Sequence, residues 1–234
     1  MQRIANPSTP VRFRPQPHTT TMIKIKVGNL EEAIHETCSI LESYCTDKND
    51  INLCLTGGNL GEGVSRKLDF LIDINKKFNF LLSDERFVNF THKDSNQRIL
   101  KANLKKNLSF SDSSFFPFKT DKDYSACFER LRSDLIVANI SKPDFLLLSL
   151  GEDGHLAGHF HNSILDQSKI FCFTDHAPKL PRKRVSFSMK WLFKSDKIIL
   201  AAIGKEKKQQ LQKFLAGEGL HSNLITHPNL TVLF

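Results

Sequence analysis

Short apolar segments alternate along the chain with segments whose apolar residues recur every three or four positions. The short segments predict seven strands: Ile23–Val27, Ile51–Thr56, Phe78–Leu82, Asp144–Leu150, Arg184–Met189, Lys197–Ile203 and Thr231–Phe234. The helical spacing predicts helices over Glu31–Cys45, around Val64, Leu68 and Leu71, and over Ser95–Asn107, Tyr124–Val137 and Glu206–Leu215. Strands and helices in alternation predict an α/β fold with a mostly parallel central sheet and helices on both faces, in a Rossmann-like, doubly wound arrangement.

The length of 234 residues fits one large domain, which we place at residues 22–234. The first 21 residues contain four prolines and five Ser or Thr. This composition predicts a disordered N-terminal extension, with Met22 as the practical start of the folded domain. The extension lacks the apolar core of about 7–15 residues that a secretory signal needs. No apolar run reaches the roughly 18–20 residues of a membrane span, so we expect no membrane partner.

The net charge of +8 arises mostly at the N-terminus, where five basic residues precede the first acidic residue, Glu31. The rest of the chain is nearly balanced, which argues against a nucleic-acid partner, because such proteins carry a basic face within the fold. The five cysteines are widely spaced and form no CxxC pair. We therefore expect reduced thiols, a cytoplasmic location and no cysteine-based metal centre.

Four predicted buried strands run directly into clusters of glycine and ionisable residues. These clusters begin at Gly57, Ser83, Gly151 and Gly204. In open α/β sheets the ligand binds beyond the carboxyl ends of the strands. The pattern therefore predicts one site at that edge of the sheet, without specifying its chemistry.

The glycine-rich segment 57–63 follows a strand and precedes a helix, which suits backbone N–H groups that approach a phosphate. It contains no nucleotide-binding fingerprint, and a plain turn is the alternative. Asp84-Glu85-Arg86 places a phosphate-binding guanidinium beside two carboxylates, although a surface ion pair would have the same sequence.

His155 follows a buried strand within Gly151-Glu152-Asp153-Gly154-His155, which suits a general base at neutral pH. Asp153 is a candidate for fixing the tautomer of its ring. A metal site is an alternative if the segment is helical, because His155 and His159 would then share a face. His161 would lie about 200° round that helix from His159, which argues against it as a third ligand. Arg184 and Lys205 are further candidates for binding an anion.

These segments together resemble the 6-phosphogluconolactonase family, within the superfamily that includes glucosamine-6-phosphate deaminases and ribose-5-phosphate isomerases. The resemblance rests on motifs in the same order along the chain: Thr56-Gly57-Gly58, Asp84-Glu85-Arg86-Phe87-Val88, Asp94-Ser95-Asn96, Gly151-Glu152-Asp153-Gly154-His155, Pro178-Lys179-Leu180-Pro181, Arg184-Val185-Ser186 and, more loosely, Gly204-Lys205.

The resemblance implies hydrolysis of 6-phospho-D-glucono-1,5-lactone in the pentose phosphate pathway, without metal or organic cofactor, by a monomer or weak homodimer. It implies catalytic roles for His155 and Asp84. It implies substrate binding by Gly57, Gly58, Asn59, Arg86, Asp153, Gly154, Arg184 and Lys205.

The chain departs from the family pattern where Leu60 and Leu156 replace hydroxyl-bearing residues. If those hydroxyls bind phosphate, their loss weakens the affinity. Two alternatives therefore stay open: a sugar-phosphate-binding protein without catalysis, and an aminosugar-phosphate deaminase or isomerase. The retained His155 argues against the first. The second typically carries Asp-Glu-Tyr where this chain has Asp84-Glu85-Arg86.

Overall fold

The computed structural model describes residues 22–71, 76–107, 114–160 and 170–234. The predicted N-terminal extension (residues 1–21) and His161 lie outside the described residues. Within the described part of the chain, no helix is both long and apolar enough to cross a bilayer.

Seven strands form one parallel sheet: β1 (Ile23–Ile25), β2 (Asp50–Leu55), β3 (Lys77–Leu82), β5 (Phe115–Phe116), β6 (Phe145–Ser149), β9 (Lys197–Ala201) and β10 (Leu230–Leu233). The six described helices are α1 (Leu30–Cys45), α2 (Gly58–Arg66), α3 (Asn96–Asn107), α4 (Tyr124–Val137), α5 (Met189–Leu192) and α6 (Lys208–Leu215). This architecture confirms the predicted α/β fold.

A second sheet was not predicted. It has three antiparallel strands in the order β4-β8-β7: β4 (Asp84–Arg86), β7 (Phe171–Thr174) and β8 (Arg184–Phe187). The charged segment that follows β3 therefore continues as a strand of this smaller sheet, so its side chains have fixed neighbours.

The central sheet has the strand order β1-β10-β9-β6-β2-β3-β5. The chain builds outward from β2 through β3 to β5, then returns to place β6 on the other side of β2. From there it builds outward again through β9 to β10. The connections after β2 and β6 thus leave in opposite directions, which creates the crevice where ligands bind in such sheets.

Both faces of the sheet are buried, and the alternation of side chains along β6 shows this directly. Leu146 and Leu148 belong to one apolar cluster, which includes residues of α4, α6 and the small sheet. Phe145 and Leu147 belong to the other, which includes residues of α1, α2 and α3. Because side chains of a strand point alternately to opposite faces, the helices cover the sheet on both sides.

Candidate functional site

A cleft of about 550 Å³ opens at the carboxyl ends of β2, β3 and β6, beside the small sheet. The cleft is lined by seven of the ten site residues that were predicted from the sequence: Gly57, Gly58, Asp84, Arg86, Asp153, His155 and Arg184. Segments that are far apart in the sequence therefore meet in one cavity, at the switch point of the sheet.

Three of the predicted residues are not among the described residues that line this cleft. Asn59 is exposed within α2, and Gly154 lies on the other side of the turn that carries His155. Lys205 is exposed, and Lys207 lines the cleft in its place. Residues 205–207 form a 3₁₀ turn, in which successive side chains point about 120° apart, so Lys205 and Lys207 face different directions.

His155 is positioned by a tight turn directly after β6. The backbone N–H of Gly151 donates to the carbonyl of His155 at 2.9 Å, and that of Gly154 donates to the carbonyl of Gly151 at 3.1 Å. The Nδ1 atom of the ring is hydrogen-bonded to Asp153 Oδ1. Because Asp153 holds Nδ1, Nε2 is the ring nitrogen that can take a proton from a ligand or water.

Asp153 is an ionised partner for that ring. The hydrogen bond from His155 is the largest cause that lowers the pKa of Asp153, to about 2. The carboxylate therefore stays charged at neutral pH, where it fixes the Nδ1–H tautomer and stabilises the imidazolium that proton uptake creates. The contact places Asp153 where it can fix the tautomer of His155.

The helical arrangement on which the metal alternative depended does not form. Residues 155–160 form turns, with an isolated bridge between Leu156 and His159. His159 is fully buried, and its Nε2 lies 2.9 Å from the carbonyl oxygen of Phe187. His159 therefore packs against the small sheet, away from the face that His155 presents to the cleft.

Two arginines of the cleft lie directly opposite each other. Arg86 on β4 and Arg184 on β8 are register partners in the antiparallel pair. Like charges at such positions repel each other, so an anion between them would be stabilising. Burial is the largest cause that lowers the pKa of Arg184, as expected for an arginine that is only 6% exposed.

Backbone carbonyls fix both guanidinium groups. Arg86 donates to the carbonyl of Asp94 at 2.9 Å. Arg184 donates to the carbonyls of Lys183 and Lys179 at 3.1 and 3.3 Å. Since each guanidinium has five N–H donors, both arginines keep further donors for a ligand.

Glu85, between the two cleft-lining residues of β4, faces away from the cleft and is fully buried. Its carboxylate accepts the backbone N–H groups of Arg86, Asn96 and Gln97 at 2.6, 2.9 and 2.6 Å. Burial raises the pKa of Glu85 to about 7, while these three donors lower it. Glu85 thereby joins β4 to the first turn of α3 and holds Arg86 in place.

Lys207, which sequence reasoning missed, donates to Ser149 Oγ at 3.1 Å, and burial lowers the pKa of its ammonium group. Lys179 adds a further cation at the rim, where it pairs with Glu152 at 3.1 Å. The available signal was the segment Gly204-Lys205-Glu206-Lys207, in which two lysines directly follow the end of a buried strand.

The two leucines that replace family hydroxyls are packed in the core. Leu60 is 5% exposed and belongs to the cluster under α1 and α2, and Leu156 is fully buried in the other cluster. Neither is among the described residues that line the cleft. The replacements therefore add apolar packing next to the site and leave the described charged residues of its lining in place.

This arrangement combines a general base, an ionised partner for it and several cations in one cavity. Nδ1 of the base is bound, and Asp84 supplies a second carboxylate that can orient hydroxyl groups. Such a set suits attack of water on an electrophilic carbon of a ligand that is anchored through an anionic group.

Comparisons with known proteins agree with this description. A family model described as glucosamine-6-phosphate isomerases/6-phosphogluconolactonase matches residues 28–232. A 6-phosphogluconolactonase of Borreliella burgdorferi is 32% identical over 170 residues, covering 68% of this chain and 72% of that protein.

Solved structures share the fold. The 6-phosphogluconolactonase from Thermotoga maritima has a TM-score of 0.77 at 23% identity, covering 92% of this chain and 99% of that chain. A monomeric glucosamine-6-phosphate deaminase has a TM-score of 0.75 at 19% identity, covering 91% of this chain and 96% of that chain. The fold alone therefore does not separate the two activities. The family match and the relative at 32% identity both show that the chain belongs to the glucosamine-6-phosphate isomerase/6-phosphogluconolactonase family.

Proposed function

We propose that this protein hydrolyses 6-phospho-D-glucono-1,5-lactone to 6-phosphogluconate, a step of the pentose phosphate pathway. One observation carries the proposal: His155, oriented through Nδ1 by Asp153, faces the same cleft as Arg86 and Arg184. The resemblance to 6-phosphogluconolactonases and the named relatives support the choice of substrate.

In the reaction, Nε2 of His155 takes a proton from a water molecule as the oxygen of that water forms a bond to C1 of the lactone. The negative charge that develops on the carbonyl oxygen is stabilised by a neighbouring cation. When the tetrahedral intermediate collapses, the bond between C1 and the ring oxygen breaks. The imidazolium then returns the proton to the ring oxygen, so the base is regenerated.

The cations of the cleft also anchor the distal phosphate. Arg86, Arg184 and Lys207 are the candidates, since all three line the cavity. A guanidinium binds phosphate oxygens with two parallel hydrogen bonds, which fixes orientation as well as position. Binding energy gained at the phosphate is used to place C1 beside the water that His155 activates.

The direct test follows loss of freshly prepared lactone with the full-length protein, against the spontaneous rate. His155→Ala should lower kcat by about 10²–10⁴-fold, the usual contribution of a general base, while the Kd of 6-phosphogluconate stays within a few-fold of wild type. His176→Ala is the matched control, because His176 is an exposed histidine beside Asp175 that is not among the lining residues.

Equal turnover by wild type and His155→Ala would refute the assigned base. Binding of 6-phosphogluconate by a wild-type protein that never exceeds the spontaneous rate would favour the non-catalytic alternative. Release of ammonia from glucosamine 6-phosphate would favour the deaminase alternative. The first outcome decides the identity of the base, and the other two each select an alternative function.

Four further properties belong to the same proposal: a single folded domain over residues 22–234, a cytoplasmic location, catalysis without metal or organic cofactor, and a monomer or weak homodimer. None of the five cysteines forms a disulfide bond within the described residues, which fits a reducing compartment. Removal of residues 1–21 tests the domain bounds, and cell fractionation tests the location. Activity that persists in a metal chelator tests independence of metal, and light scattering gives the oligomeric state.

A further inference from the structure

Asn96 is the first residue of α3, and its side chain lines the cleft beside Gly57 and Asp84. The residue is only 4% exposed. Its Oδ1 atom is buried and has no hydrogen-bond partner among the described residues. A buried amide oxygen without a hydrogen-bond donor costs free energy. A ligand that donates a hydrogen bond to this atom would remove that cost.

The hydrogen-bond network fixes which way the amide points. Nδ2 donates to the backbone carbonyl of Asp84 at 3.4 Å. The reversed orientation would place two acceptor oxygens against each other, which is unfavourable. The oxygen of the carboxamide, an acceptor without a proton of its own, is therefore the atom left unpaired.

The surrounding backbone holds Asn96 in place and keeps room for its side chain. The backbone N–H of Asn96 donates to the carboxylate of Glu85 at 2.9 Å. At Gly57, the N-cap of α2, any Cβ atom would overlap the carboxamide of Asn96. Glycine at position 57 thus permits the close approach of the two helix starts, and any larger residue there would displace the amide.

The chemistry of this atom identifies its ligand group. An unpaired amide oxygen repels a phosphate and accepts a hydrogen bond from a hydroxyl. We propose that Asn96 is a substrate-binding residue whose Oδ1 accepts a hydrogen bond from a hydroxyl of the sugar, while the cations of the cleft bind the phosphate. This proposal rests on the function proposed above. Asn96 thereby selects polyhydroxylated substrates over simpler anionic esters.

Gln97 provides a matched control. It is 1% exposed, its backbone N–H also donates to Glu85, at 2.6 Å, and its Oε1 also lacks a partner among the described residues. Its side chain, however, donates to Thr120 at 3.4 Å and is not among those that line the cleft. If a buried amide in this turn has only a structural role, Asn96→Leu and Gln97→Met should have the same effects.

The experiment titrates 6-phosphogluconate into the full-length wild type, Asn96→Leu and Gln97→Met, and measures the Tm of each. We expect Asn96→Leu to raise the Kd about 10- to 100-fold, the range for a lost hydrogen bond to a buried group. With the lactone as substrate, KM should rise more than kcat falls. Gln97→Met should keep the wild-type Kd, whatever its Tm.

Deoxy analogues of 6-phosphogluconate, each lacking one hydroxyl, then identify the partner. For the analogue that lacks the bonded hydroxyl, wild type and Asn96→Leu should bind equally, while the other analogues keep the difference. An Asn96→Leu protein with wild-type Kd, or a loss that is identical for every analogue, would overturn the assignment.

The two proposals fail differently. A wild type that binds 6-phosphogluconate without accelerating lactone hydrolysis refutes the lactonase function, while the Kd series still decides the role of Asn96. A wild type that neither binds 6-phosphogluconate nor accelerates lactone hydrolysis refutes both.

Discussion

Gly151→Ala tests the positioning of the base without removing a functional side chain. A Cβ atom at this position would overlap Nδ1 and Cε1 of His155 and lie 2.8 Å from Asp153 Oδ1, whereas ordinary contact begins near 3.4 Å. The ring and its carboxylate must therefore both retreat from their present positions. Misplacing a reacting group by about 1 Å can cost about 10²-fold in rate, so we expect kcat to fall about 100-fold.

The assay compares lactone hydrolysis with the Kd of 6-phosphogluconate. The Kd should change little, because Arg86 and Arg184 belong to the small sheet rather than to the turn of Gly151. Gly217→Ala is the control: it follows α6, has a φ of +78°, and an added Cβ there meets nothing within 4 Å. That variant should lose stability through backbone strain and keep its kcat. Wild-type kcat in Gly151→Ala would refute the argument that this turn positions the base.

Three further predictions concern single groups of the site. Asp153→Asn should lower kcat about 10²–10⁴-fold with binding retained, because a neutral amide cannot stabilise the imidazolium; turnover near wild type would contradict the assigned contact. Arg184→Met should raise the Kd of 6-phosphogluconate about 10- to 100-fold, as expected for a lost charge-assisted hydrogen bond, and an unchanged Kd in calorimetry would exclude Arg184 from the anion site. Because the pKa of Glu85 is raised to about 7 in the folded protein, its contribution to stability is full below about pH 4.5 and is lost as the pH rises through 7. The free energy of unfolding in urea should therefore fall between pH 5 and pH 8, and Glu85→Gln should flatten that slope.

The regular elements could be predicted from the sequence where local pattern and packing agree. The helix predicted over Tyr124–Val137 has those bounds in the structure, since its apolar face and the cap at Asp123 act together. β7 was missed because Phe171–Thr174 shows no clean alternation. The sequence does not predict β4, because its three charged residues are poor strand formers. In the structure, pairing with β8 outweighs that preference.

The candidate site was predictable to the extent that strand ends determine it. His155 and Arg86 follow buried strands directly, so their meeting in one cleft follows from a parallel sheet. The pairing of Arg86 with Arg184 depends on the register of a second sheet, which no local pattern specifies. Whether Lys205 or Lys207 lines the cleft depends on the rotation of one 3₁₀ turn, which the distance from the strand end does not specify.

The switch-point position of the cleft has a consequence for how the protein matures. Gly57 and Arg86 come from the first half of the chain, whereas His155, Arg184 and Lys207 come from the second. Neither half contains the complete lining of the cleft, so a nascent chain can form the whole cavity only after Lys207 has emerged from the ribosome. Affinity for the sugar phosphate is thereby coupled to completion of the whole sheet, and a bound ligand would hold two separately expressed halves together.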